Sequence, residues 1–201
     1  MKKCKATVES GLTVTTASTE SALRIRYHTA GLTSSAVEIL TEEIRKRQLD
    51  TRLIESVEAQ NKAYTQEEID RYCELIRALP CSVTGKSDQR LNATLVVEVK
   101  SFIIMTQIKE KIVIASPPAL KQANDLAISS SLAFGWWGFP WGIIRTIQAI
   151  IVNSRNKKNA NREEPSEHLR AFVSANIGQI ILMKGDKDKL QYLLKLNKAN
   201  S

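Results

Sequence analysis

The segment at positions 126–144, LAISSSLAFGWWGFPWGII, limits what this chain can fold into more than any other. It carries no charged residue, and all three tryptophans of the protein, Trp136, Trp137 and Trp141, lie in it beside Phe134 and Phe139. Its length is that of a membrane-spanning helix, roughly 17–25 residues. Gly135, Gly138, Pro140 and Gly142 interrupt its middle, and inside a helix glycine costs about 1 kcal/mol and proline about 3 kcal/mol. A straight helix is therefore not expected.

Three arrangements meet these constraints. One kinked helix from residue 126 to about residue 152 would cross a bilayer, with Arg145 snorkelling towards the headgroups. A helical hairpin, residues 119–134 entering and 143–153 returning, would turn at Gly-Phe-Pro-Trp-Gly and dip into one leaflet. The same two helices could instead pack on a sheet, with the aromatic turn plugging a core or an oligomer interface, where tryptophan is enriched. The flanking charges favour the dipping hairpin. Basic residues follow at Arg155, Lys157, Lys158 and Arg162, and the part before the segment is also rich in Lys and Arg. A single crossing would have to carry one of these basic sides through the bilayer. In the returning helix Ile143, Ile144, Ile147, Ile150 and Ile151 share a face, with Arg145, Gln148 and Val152 opposite. Indole rings settle at headgroup level. Trp136, Trp137, Phe139, Pro140, Trp141 and Arg145 are thus the expected membrane- or partner-binding residues, and Arg155, Lys157, Lys158 and Arg162 the expected contacts to lipid phosphate.

The rest of the chain reads as α+β in four stretches: 1–80, 81–118, 119–153 and 154–201. Alternation at 12–15 and 23–28 predicts short strands, with Arg24, Arg26 and His28 on one face. Ser35-Ala-Val-Glu38 reads as a capping box for a helix to about Leu49, with Ala36, Val37, Leu40 and Ile44 inward. A second helix is expected over 51–62, burying Leu53, Ile54 and Val57. Thr65-Gln-Glu-Glu68 is a capping box for a third, with Ile69, Tyr72, Cys73 and Ile76 inward, ended by Pro80. Residues 93–99, 102–106 and 111–115 are β-rich and predict a three-stranded antiparallel sheet, its edge covered by a helix that Pro117 and Pro118 open. After the basic run, Pro165 is expected to open a helix with Leu169, Phe172 and Val173 inward. Residues 177–183 read as helix or strand, and Asp186 as the cap of a last helix striped by Leu190, Leu193 and Leu194.

Few kinds of chemistry are supported. The chain has 201 residues, 43% of them apolar and 25% charged, enough for one packed domain with appendages. Cys4, Cys73 and Cys81 are too scattered for a disulfide framework, and with only His28 and His168 beside them a four-ligand zinc site is not expected. The basic start lacks an apolar stretch behind it, so no secretory signal is read there, and the cytoplasmic side of a membrane is the expected location. No phosphate-binding loop, dinucleotide fingerprint, nucleophile elbow or His-Glu-x-x-His occurs. Glu42–Glu43, Glu67–Glu68 and Glu163–Glu164 are adjacent carboxylates, which point apart on a helix. No catalytic residue, metal or cofactor is assigned. A net charge of +8 suits acidic partners. Nucleic acid is the less favoured of these, because the aromatic residues lie in a glycine-rich turn and not on a sheet face where bases could stack.

Two resemblances add to this reading. Leu79-Pro-Cys-Ser-Val-Thr-Gly85, then strands, then Ile114-Ala-Ser-Pro-Pro-Ala-Leu120 resembles a zinc ribbon that has lost most of its ligands. Cys81 stands at one ligand position, Thr84 where a second cysteine would be, and Ser116 and Ala119 near the other two. An unrelated β-hairpin stopped by Pro-Pro is the alternative. The following Gly-Trp-Trp-Gly-Phe-Pro-Trp-Gly resembles a motif of uncharacterised bacterial membrane-associated proteins in which a short zinc ribbon precedes a Gly-Trp-Trp-Gly-x-Pro-Trp-Gly run. The resemblance implies this order of parts and a membrane association, with no activity attached. The expected protein is a non-enzymatic one whose tryptophan-rich hairpin anchors it to an anionic membrane surface or a protein partner. The alternatives are a metal-free nucleic-acid-binding ribbon and a homo-oligomer joined at the tryptophan turn.

Overall fold

A computed structural model of the chain describes residues 32–103 and 105–199. The strands expected at 12–15 and 23–28, and Cys4, lie outside these residues. The chain divides into two compact units, residues 1–62 and 63–201. Among the described residues there are eight α-helices and one two-stranded antiparallel sheet, so the fold is α+β.

The first unit contributes α1 (Ser34–Lys46) and α2 (Arg52–Asn61). Ile44 and Val57 are buried, as their stripes require. The start of α1 differs from the capping box expected at Ser35. Thr33 is the N-cap, extended and accepting from the Ala36 N–H, so the helix begins one residue before that serine.

The second unit is built around a β-hairpin, β1 (Asn92–Phe102) and β2 (Met105–Ala115). It pairs without interruption from Asn92↔Ala115 to Phe102↔Met105. The three short strands expected here are two long ones. The polar run Gln107–Glu110, which reads as a break, is strand, because β2 is an outer strand whose far half is largely exposed and needs no apolar face. The turn falls instead just beyond the Phe102↔Met105 pair, with Ile103 in it.

The other edge of β1 has no strand beside it, yet side chains satisfy its backbone. Arg77 Nε donates to Leu91 O, Ser166 Oγ to Ala93 O and Asn156 Nδ2 to Leu95 O. Asn153 does the work of a strand residue: its Oδ1 accepts from Val97 N–H at 3.0 Å and its Nδ2 donates to Val97 O at 2.7 Å. Ser131 Oγ accepts from Val99 N–H at 3.1 Å. An edge filled this way cannot template another strand.

Ser131 and Asn153 come from the helical hairpin α4 (Pro117–Phe134) and α5 (Trp141–Lys158). Pro117 and Pro118 start α4, where a missing N–H costs nothing. The single kinked helix is thus replaced by two helices separated at residues 135–140. Where these helices meet they are lined by small residues. Ala127, Ser131 and Gly135 recur every fourth position, and Gly142, Thr146, Ala149 and Asn153 form the buried side of α5. Small residues let helix backbones approach closely. The isoleucine stripe is divided: Ile144, Ile147 and Ile151 are exposed on the opposite side, and Ile143 and Ile150 are half-buried at its flank. Ala149 and Val152 pack on Val97, Val99 and Leu95.

The remaining helices are α3 (Gln66–Arg77), α6 (Glu167–Ala175), α7 (Ile177–Met183) and α8 (Lys187–Ala199). The Thr65–Glu68 capping box opens α3 as expected. The N-cap of α6 is Ser166, and Pro165 lies just before it. Asp186 accepts from the N–H groups of Asp188 and Lys189 at the start of α8. Asp70 and Arg170 join α3 to α6, and Asn197 Nδ2 donates to Ile112 O, tying α8 to β2.

Candidate apolar interface at two hairpin tips

The helical turn and the β-turn meet at one end of the second unit, and glycines make the contact. A Cβ at Gly138 would stand 2.9 Å from Thr106 Oγ1 and 3.0 Å from Ser101 Cβ. One at Gly142 would stand 2.7 Å from both Gly135 O and Ser101 Oγ. One at Gly135 would overlap Thr146 Oγ1. The Gly142 N–H donates to Gly138 O, closing the turn on itself. On the β side Ser101 and Thr106, paired in register, share a hydrogen bond of 3.1 Å between their hydroxyls. The next pair out is Phe102↔Met105. The two tips are therefore side by side.

What they expose is apolar. On the helical turn Trp137 is 71% exposed, Phe139 84% and Trp141 65%, with Phe134 and Trp136 also exposed. On the β-turn Ile103 is 83% exposed, flanked by exposed Phe102 and Met105. Trp137 Nε1 donates to Ala133 O at 3.2 Å, which holds that ring beside the end of α4. Two-residue hairpin turns ordinarily take Asn-Gly or Asp-Gly because the backbone is left-handed there. Here Ile103 holds φ 26, a conformation that β-branched residues avoid. Strain of this kind gathers at functional positions.

Of the residues expected from sequence, the structure brings together Trp136, Trp137, Phe139, Pro140, Trp141 and Arg145. Pro140, after a cis peptide bond, is the exposed N-cap residue of α5. Arg145 is exposed one turn further on, and its Nη1 donates to Gln148 Oε1 at 3.1 Å. Arg155, Lys157 and Lys158 are not brought to this end. They lie at the far end of α5, about 21–26 Å from Trp141 along the helix axis. Arg162 lies beyond it, after the 3-10 turn Asn159–Asn161. Lys157 is paired there with Asp125 at 2.6 Å. Phe102, Ile103 and Met105 were not expected. Their signal is the Phe-Ile-Ile-Met run, whose apolar turn is foreign to a hairpin tip in water.

The ribbon-like positions also converge in part. Cys81, Ser82, Val83 and Thr84 form a tight turn ended by Gly85 at φ 71, with Gly85 N–H donating to Cys81 O at 2.7 Å. Ser116 N–H, at the start of α4, donates to Cys81 Sγ at 3.4 Å. Burial raises the Cys81 thiol, but hydrogen bonds from Thr84 and Ser116 outweigh it and bring the group down to about 7. Cys73, on the buried stripe of α3, is pushed up to about 12 by burial. Among the described residues no three metal-ligating side chains gather, and no helix is long and apolar enough to cross a membrane. No family model, no curated protein and no solved structure matches the chain.

Proposed function

We propose that this is a non-enzymatic protein that docks on a lipid membrane by shallow insertion of the paired hairpin tips. The observation that carries the reading is the convergence of two turns from distant parts of the chain, each with its large apolar side chains outward. Phe102, Ile103 and Met105 on one turn and Trp136, Trp137, Phe139 and Trp141 on the other are all exposed, and the turns meet through Gly138 and Gly142 against Ser101 and Thr106. Fully burying one such side chain is worth about 1.5–3 kcal/mol. Seven of them together outweigh the cost of holding a protein at a surface, whereas in water they stabilise nothing. Trp and Tyr concentrate at membrane interfaces because an apolar ring and a polar N–H or O–H are both accommodated there. The resemblance of the tryptophan motif to membrane-associated proteins points the same way.

The test is flotation of the purified protein with phosphatidylcholine vesicles while tryptophan emission is followed. All three tryptophans lie in the one turn, so the emission reports on that turn. Co-flotation with a blue shift supports the reading. Emission that is already blue in buffer and unchanged by vesicles would refute it, and would place the tips in a homo-oligomer contact.

A further inference from the structure

We infer that Lys100 and Arg145 form a collar for lipid phosphate behind the tips, which stops insertion after about one helical turn and selects anionic phospholipid; this rests on the membrane reading above. Arg145 follows Trp141 by four residues, about 6 Å along α5. Lys100 precedes Phe102 by two residues, about 7 Å along β1. Each hairpin thus contributes one cation just behind its tip: Arg145, exposed on α5, and Lys100, half-buried on β1. Val97 and Val99 pack against the helical hairpin, so the alternate residues of β1, Lys100 among them, point to the other face of the sheet. Among the described residues neither cation is ion-paired. Arg145 meets the neutral Gln148, and Lys100 lies opposite Gln107 in the register.

The first carboxylates behind the tips are further back. Glu98 and Glu110 stand about 14 and 17 Å from the last strand pair, and Glu98 is opposite Lys109. Asp125 is about 13 Å behind Phe134 along α4 and is held by Lys157. The first 10 Å or so of both hairpins therefore carries two cations and no anion, over the roughly 5–10 Å that interfacial segments occupy. Going deeper would take Lys100 and then Glu98 and Lys109 into hydrocarbon, which insertion scales penalise heavily. In this upright pose Arg155, Lys157 and Lys158 stand clear of the headgroups.

The experiment measures partitioning of the full chain onto phosphatidylcholine vesicles and onto phosphatidylcholine–phosphatidylserine vesicles. Wild type is compared with K100Q/R145Q and with R155Q/K158Q, all checked for an unchanged unfolding midpoint. At about fivefold per cation near an anionic surface, K100Q/R145Q should bind anionic vesicles about 30-fold more weakly, while its binding to neutral vesicles stays near wild type. R155Q/K158Q should match wild type on both. Bromine near the headgroup should quench the tryptophans more than bromine near the chain ends. Equal wild-type binding to both vesicles, an unaffected K100Q/R145Q, an equal loss in R155Q/K158Q, or stronger quenching from the chain ends would overturn the collar and leave tip insertion standing. No binding to either vesicle would overturn both readings.

Discussion

A methyl group added at position 135 would overlap Thr146, and one at 142 would press on the Gly135 carbonyl and the Ser101 hydroxyl. Two of these neighbours, Gly135 O and Ser101, belong to the backbone or to a side chain too short to swing away. Gly135→Ala and Gly142→Ala should therefore each destabilise the protein by about 1–3 kcal/mol, the usual range for overpacking. Gly185→Ala, with nothing near its Cβ, should stay within about 0.5 kcal/mol of wild type. Denaturant midpoints check all three. Asp70 gives a prediction of a different kind. Its hydrogen bonds from Arg170 hold the carboxyl below the usual 3.8. A depressed acid contributes stability that is present above its unfolded value and lost as pH falls through the folded one. Asp70→Asn should thus lower the melting temperature at neutral pH. The gap to wild type should close as pH drops below about 4, where the unfolded carboxyl takes up its proton; a gap that persists at low pH would point to packing instead.

At the scale of elements, the free edge of β1 depends most on Asn153, which is fully buried and bonds both backbone groups of Val97. Asn153→Leu keeps the volume and leaves two backbone groups unpaired, at about 1–3 kcal/mol each. A combined loss of about 2–5 kcal/mol is expected by chemical denaturation. A loss under 1 kcal/mol would mean that water reaches the edge. The ribbon-like turn offers an engineering test of its geometry. Thr84 and Ser116 both hydrogen-bond Cys81, so Thr84→Cys, Ser116→Cys and Ala119→Cys together should bind cobalt(II) with the visible absorption of a tetrahedral thiolate site. Absence of that absorption in the folded variant would show that position 119 does not face the other three. The helices were legible because period and caps agreed, as at Thr65–Glu68 and Asp186. The sheet was less so, since polar Gln107, Lys109 and Glu110 suggest a break wherever burial on one face is assumed. The inward side of α5 was not legible at all. Periodicity separates two faces, and it assigns the core to the more apolar one; here Gly142, Thr146, Ala149 and Asn153 go inward because close helix contact and strand-edge hydrogen bonds need small and amide side chains.

The outward isoleucines of α5 bear on the whole molecule. Ile144, Ile147 and Ile151 on α5, and Leu126 and Leu132 on α4, are exposed behind the tips. The tips themselves make one end of the second unit apolar, while the cations at Arg155, Lys158 and Arg162 crowd the other end of α5. Exposed apolar side chains scattered singly need no explanation, but a contiguous group marks a surface that meets something other than water. If the rings of Trp137, Phe139 and Trp141 serve docking and not folding, the two properties should come apart on mutation. Trp137→Ser, Phe139→Ser and Trp141→Ser combined should keep the unfolding midpoint within about 0.5 kcal/mol of wild type, as surface substitutions do. Vesicle partitioning should fall at least 100-fold, since each ring withdrawn from the interface forfeits at least about 1.5 kcal/mol. The opposite result, a large fall in stability with partitioning unchanged per folded molecule, would make the turn a structural plug. A fall in both would mean that docking and hairpin closure share the same contacts, and Phe102→Ser with Met105→Ser, on the β side, would then separate them.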